Sequence, residues 1–163
     1  MRIMVFDVPA ESGGALAILQ EFYHEFKYDL ENEYIFVVSK PEIKETLNIE
    51  VLQFPWIKRS WIHRLIFDYM IAYRLIKKYE VDEVLSLQNT IIPNTKVHQT
   101  VYVHNSLPFA EYRFSIFEDK LLWVYQNILS HIIFKSIKKA DRIIVQTEWM
   151  KKLCIKKLNI NEE

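Results

Sequence analysis

The chain has 163 residues, suited to one domain that buries roughly 70% of its unfolded surface. Half the residues are hydrophobic and 14% aromatic, which excludes a disordered chain, while 21 basic side chains cancel 21 acidic ones and give no overall bias toward nucleic acid. The single cysteine, Cys154, excludes an internal disulfide framework and any multi-cysteine zinc site, and no apolar run reaches the roughly 20 residues needed to span a bilayer.

Arg2–Phe6 (RIMVF) is an almost wholly apolar run, the pattern of a strand buried on both faces. MRIMVFDVPAES carries one charge and then an acid, unlike a signal peptide, and with the lone cysteine this gives an expected cytoplasmic location. Ser12-Gly13-Gly14 leads into a helix with Ala15, Leu19, Phe22 and Phe26 on one face. YIFVV at Tyr34–Val38 is the second strand. Ser39 with Glu42 three residues on forms a capping-box signature, which predicts a short helix through about Leu47. Ile49–Phe54 is the third strand, and Ser60–Tyr79 a long helix. Glu83–Leu87 is the fourth strand and Thr100–His104 the fifth. Ser115 and Glu118 form another capping box, opening a helix to about Lys139. Arg142–Gln146 is the sixth strand, and Thr147 starts a last helix to about Leu158.

Buried strands alternating with helices predict a mainly parallel α/β sheet in one domain, with no repeat or linker. Ligands of such sheets collect at the carboxyl ends of the strands, which selects segments 7–14, 88–96, 104–115 and 147–148. The only two glycines, Gly13 and Gly14, fall in the first of these. A strand, a glycine turn and a helix start present unpaired N–H groups to an anion, although a helix entry that merely needs positive φ uses glycine too. Neither GxGxxG nor GxxxxGK[ST] occurs.

His104 ends the fifth strand and is followed by Asn105 and Ser106. It suits a hydrogen bond to a sugar hydroxyl or acid–base work near neutral pH; alternatively it caps the strand on a nearby carbonyl. Arg113 suits clamping an anion, or pairing with Glu111 or Glu118. Thr147 reads as an N-cap, with Glu148 behind it. No metal-ligand spacing and no DxD pair is present, so no metal is expected.

Charge is divided unevenly: residues 1–50 carry 4 basic and 10 acidic side chains, net −6, and residues 51–163 carry 17 and 11, net +6. Within the basic part, residues 57–79 (IKRSWIHRLIFDYMIAYRLIKKY) combine six Lys/Arg with Trp61 and several tyrosines. Such a helix can lie on an anionic membrane surface, or pack on a core with basic ends.

Three segments in order, MRIMVFDVPAESGGALAILQEFY, TVYVHNSLPFAEYRF and ADRIIVQTEWMKKL, resemble family 4 glycosyltransferases of the GT-B fold. The resemblance implies a three-layer, Rossmann-like α/β domain with a mainly parallel sheet, the N-terminal, acceptor-side half of GT-B. It implies retaining transfer of a sugar from a nucleotide-sugar co-substrate to an acceptor hydroxyl, on a glycan or lipid-linked saccharide, with no other cofactor. Gly13 and Gly14 would approach the donor phosphates or the acceptor across the cleft, His104 the transferred sugar, and Asn105, Ser106, Arg113, Thr147 and Glu148 the substrates. The donor-binding Rossmann domain with its paired glutamates has no counterpart before Asn161-Glu162-Glu163, so the chain is expected to be inactive without it, being an excised piece, the partner of a separate donor-binding chain or the product of a decayed gene. A non-catalytic subunit or truncated remnant, and an unrelated Rossmann-like small-molecule binder, are the alternatives. The inner face of the membrane is the expected site of any peripheral contact.

Overall fold

A computed structural model describes residues 1–160; Asn161-Glu162-Glu163, before which the sequence reading expects no donor-binding domain, lie outside them. Six parallel strands form one sheet in the order β3-β2-β1-β4-β5-β6. They are β1 (Arg2–Asp7), β2 (Glu33–Val38), β3 (Ile49–Gln53), β4 (Glu83–Ser86), β5 (His98–Val103) and β6 (Arg142–Val145). Registers such as Phe6↔Val37 and Phe6↔Ser86 hold β1 at the centre. This order reverses direction between β1 and β4, which in Rossmann-like sheets opens a crevice beyond the strand ends.

Alternation along the central strands divides the core. Met4, Phe6, Ile35, Val37 and Val84 pack against Phe67, Ala72 and Ile76 of the helical stretch between β3 and β4. Val5, Phe36, Val38 and Leu85 face Ile18 and Leu19 of α1 (Gly13–Phe26). A third cluster joins Val101 and Val103 to Ile133 and Ile137 of α5 (Ser130–Ile137) and to Met150, Cys154 and Leu158 of α6 (Glu148–Leu158). The result is a three-layer, Rossmann-like α/β fold. Burying each large side chain in these clusters contributes about 1.5–3 kcal/mol.

Local structure departs from the sequence expectation in three places. The helix predicted from Ser39 to about Leu47 does not form; residues 39–48 are irregular. Side chains take over its backbone groups: Gln53 Nε2 donates to the carbonyls of Lys40 (2.9 Å) and Pro41 (3.3 Å), and Ser39 is buried with its Oγ unbonded rather than capping. The predicted helix at 60–79 is α2 (Trp61–Ile66), a π turn (Phe67–Ile71) and α3 (Ala72–Lys78), preceded by a 3-10 turn at Pro55–Arg59. The Ser115–Glu118 box closes reciprocally, with Ser115 N–H donating to Glu118 Oε2 at 2.7 Å and Glu118 N–H to Ser115 Oγ at 3.3 Å. Yet α4 (Lys120–Val124) starts later, capped by Asp119 accepting from Leu122 N–H at 2.9 Å, and a second π turn (Tyr125–Leu129) separates it from α5.

Candidate functional site: the cleft beyond β1 and β4

The segments after β1, β4 and β5 converge on one cleft of about 1310 Å³, walled by α2 and the first π turn on one side and the second π turn and α5 on the other. Both π turns contribute lining residues, Asp68 and Tyr69 from one and Tyr125 and Leu129 from the other. Such turns are rare and concentrate at functional sites because the extra residue re-aims side chains.

The cleft floor is polar and unsatisfied. Asp7, the last residue of β1, is 1% exposed, and neither oxygen of its carboxyl group has a hydrogen-bond partner among the described residues. Burial pushes its pKa up to about 8; the Ala10 amide, near it without closing a bond, and the Arg64 and Lys58 charges pull weakly the other way. Gln88, just past β4, is 6% exposed, and neither its amide oxygen nor its nitrogen has a hydrogen-bond partner among the described residues. Buried polar groups are otherwise nearly always paired, because an unmade bond forfeits the full desolvation cost. Asp68 on the wall accepts from Arg64 Nε at 2.6 Å through Oδ2, while its Oδ1 is unbonded; burial raises its pKa against the opposing pull of Arg64.

The loop after β4 is fixed from several directions. Gln99 accepts from Ile92 N–H (2.8 Å) and donates to Ile92 O (3.0 Å), and Ser86 Oγ donates to Thr90 O. Asn89 adopts φ +64°, a conformation that asparagine tolerates better than most residues. Its Oδ1 accepts from the N–H groups of both His104 (2.8 Å) and Asn105 (2.9 Å), so its amide nitrogen must face His104 Nε2, 3.0 Å away. His104 Nε2 also lies 3.1 Å from Leu87 O. Protonated, Nε2 donates to Leu87 O and caps the strand; unprotonated, it accepts from the Asn89 amide, so in either tautomer Nε2 is engaged inside the fold. Burial lowers the His104 pKa, opposed by the Leu87 contact, so the ring is neutral at pH 7. Only Nδ1 lacks a hydrogen-bond partner among the described residues.

Asn105 and Ser106 also line the cleft. The Asn105 side chain accepts from Leu107 N–H at 3.0 Å, and Ser106 heads the short 3-10 turn Leu107–Phe109. Gln126, buried within the second π turn, staples the rest of this loop: it accepts from Phe114 N–H (2.9 Å) and donates to Tyr112 O (2.8 Å). Arg113 is exposed, does not line the cleft, and donates to Gln126 O at 3.3 Å rather than pairing with Glu111 or Glu118. Thr147 caps α6 by accepting from Met150 N–H at 3.2 Å; it and Glu148 are exposed and away from the cleft lining.

Gly13 and Gly14 are exposed beside Ala15, which does line the cleft. Gly13 has φ +61°, so the turn itself requires glycine; nothing within 4 Å would oppose a Cβ at either position. Ser12 makes no side-chain cap, leaving the α1 amides for solvent or a ligand.

The cleft rim is apolar. Trp61, Leu65 and Tyr69 on one wall and Ile132 on the other line the cleft and are exposed, whereas Ile62, Met70, Leu121 and Ile128 are exposed outside the lining. Among the described residues no helix is long and apolar enough to cross a membrane, and no group of three or more His, Cys, Asp or Glu is placed to hold a metal ion.

Of the four segments selected from the sequence, three converge here and 147–148 does not; they hold His104, Asn105 and Ser106, which were singled out, and Asp7, Gln88 and Asn89, which were not, while the Arg64–Asp68 pair lies outside them. An acid closing an otherwise apolar strand, and Gln-Asn directly after another, were the available signals. No protein-family model matches the chain, and no curated protein matches it significantly.

Proposed function

We propose that this chain is the acceptor-side domain of a retaining glycosyltransferase, moving a sugar from a nucleotide-sugar to a hydroxyl of a glycan or lipid-linked saccharide. The observation that carries this reading is the pair of buried, unpartnered side chains, Asp7 and Gln88, on the floor of a large cleft at the sheet's reversal point. The segment resemblances supply the reaction class. The acceptor oxygen would attack the anomeric carbon, the bond from that carbon to the diphosphate oxygen would break, and the acceptor proton would leave with the diphosphate. His104 Nδ1, Asn105 and Ser106 would meet the sugars, and the uncapped α1 start at Gly13-Gly14 would face donor phosphates held by a separate chain. Arg113, Thr147 and Glu148 have no part in the cleft as described, and enter the proposal only if the partner extends the site over them. The exposed Trp61 and Ile62 beside Lys58 and Arg59 support peripheral contact with anionic lipid through residues 57–79, at the inner membrane face.

The test is transfer of labelled sugar from UDP- and GDP-sugars to lipid-linked saccharide acceptors. The full chain would be mixed with the product of its neighbouring reading frame, with the product's anomeric configuration read by NMR. Retained configuration, dependent on both chains, is expected; no transfer from any donor refutes the reading. The engagement of His104 Nε2 within the fold favours one alternative, an unrelated Rossmann-like small-molecule binder. Tight nucleotide binding by the chain alone would select it.

A further inference from the structure

We propose that Asp7 and Gln88 together seat a pair of neighbouring hydroxyl groups of an uncharged saccharide, and that this seat excludes phosphate. The inference rests on the acceptor-side reading and names the ligand chemistry of its cleft floor. Asp7 ends β1, and Leu87 N–H donates to Phe6 O at 2.9 Å, which brings the start of the following loop, with Gln88, to the same end of the sheet. Four polar atoms there lack hydrogen-bond partners among the described residues: two carboxyl oxygens of Asp7, and the oxygen and nitrogen of the Gln88 amide.

The mixture of orphaned donors and acceptors selects the ligand. Asp7 keeps its proton below about pH 8, so its carboxyl offers one donor and one acceptor; phosphate offers mainly acceptors and would leave the Gln88 oxygen and the Asp7 carbonyl oxygen unsatisfied. An ammonium group offers only donors and would leave the Gln88 nitrogen unsatisfied. A hydroxyl both donates and accepts, so two neighbouring hydroxyls can serve the carboxyl and both amide atoms at once. The two cations whose charges reach Asp7 already have partners within the fold. Arg64 is paired with Asp68 at 2.6 Å, and Lys58 Nζ donates to Pro9 O at 2.9 Å and lies 3.5 Å from Glu11. Leaving four buried polar atoms unbonded costs the free protein stability, so the occupant regains those bonds on binding.

The experiment is saturation-transfer NMR on the full chain with methyl α-glucopyranoside, methyl α-mannopyranoside and methyl α-galactopyranoside, with inorganic phosphate as competitor. At least one glycoside should receive saturation through its ring hydroxyl-bearing positions, undisplaced by phosphate. Gln88→Met and Asp7→Asn should each weaken that binding by tenfold or more, and Gln88→Met should leave Tm in glycoside-free buffer unchanged or raised. No transfer to any glycoside, displacement by phosphate, or unaltered binding in Gln88→Met overturns the proposal. So does a fall in Tm for Gln88→Met, which would show that the amide has a partner within the fold. Glycoside binding without sugar transfer in the two-chain assay keeps this seat and removes the transferase reading. Sugar transfer with full acceptor affinity in Gln88→Met does the reverse.

Discussion

Replacing Asp7 by Asn should stabilise the protein, and increasingly so as pH rises. In the folded chain burial holds the Asp7 carboxyl proton to about pH 8, whereas in the unfolded chain it leaves near the ordinary value of 3.8. Between those limits the unfolded state carries fewer protons than the folded one, so raising the pH favours unfolding. Stability from this group is therefore fullest below about pH 4, declines through neutrality and levels off above about pH 8. Each pH unit in that window costs about 1.4 kcal/mol when no water relieves the charge. Water entering the open cleft offsets part of this. The stability difference between Asp7→Asn and the parent should therefore grow by about 2–4 kcal/mol from about pH 5 to about pH 8. That is a large share of a typical total of roughly 5–15 kcal/mol. Urea unfolding followed by far-UV circular dichroism across this range measures it. Subtracting the two proteins cancels most of the contribution of Asp68, whose pKa burial also raises. Parallel pH profiles would refute the claim that Asp7 is buried without a partner.

Two further substitutions probe how the cleft edge is built. Gly13→Ala should cost about 1 kcal/mol, because alanine is strained at the positive φ of this turn, while Gly14→Ala should be neutral or add about 0.5–1 kcal/mol through helix propensity; thermal unfolding separates them. Asn89→Ala should cost about 2–3 kcal/mol by leaving the His104 and Asn105 N–H groups without their acceptor, and should raise amide hydrogen exchange at those two positions; unchanged exchange would show that the loop after β4 does not depend on Asn89.

The strands were legible in the chain itself because their signal is local. Runs such as RIMVF and YIFVV can be buried on both faces only in a covered parallel sheet, and both became central strands. Thr147 as a cap was equally legible, since its acceptor and the Met150 donor lie within one turn. The failure at residues 39–48 has the opposite cause. Ser39, Pro41 and Glu42 satisfy the local helix signature, but Gln53, a dozen residues on, binds the Lys40 and Pro41 carbonyls.

The site divides the same way. Sequence placed His104 at a strand end but could not show its neighbours; Leu87 and Asn89 come alongside it only through the pairing of β4 with β5. Asp7 shows the division most sharply. Its position at the end of β1 is written in the chain, yet its shifted proton affinity arises from desolvation by neighbours drawn from distant segments. Hydrophobic periodicity acts between adjacent residues and survives in the sequence. Burial and hydrogen-bond satisfaction are sums over the whole fold, so only the tertiary structure determines which polar groups are left facing the cleft unpaired.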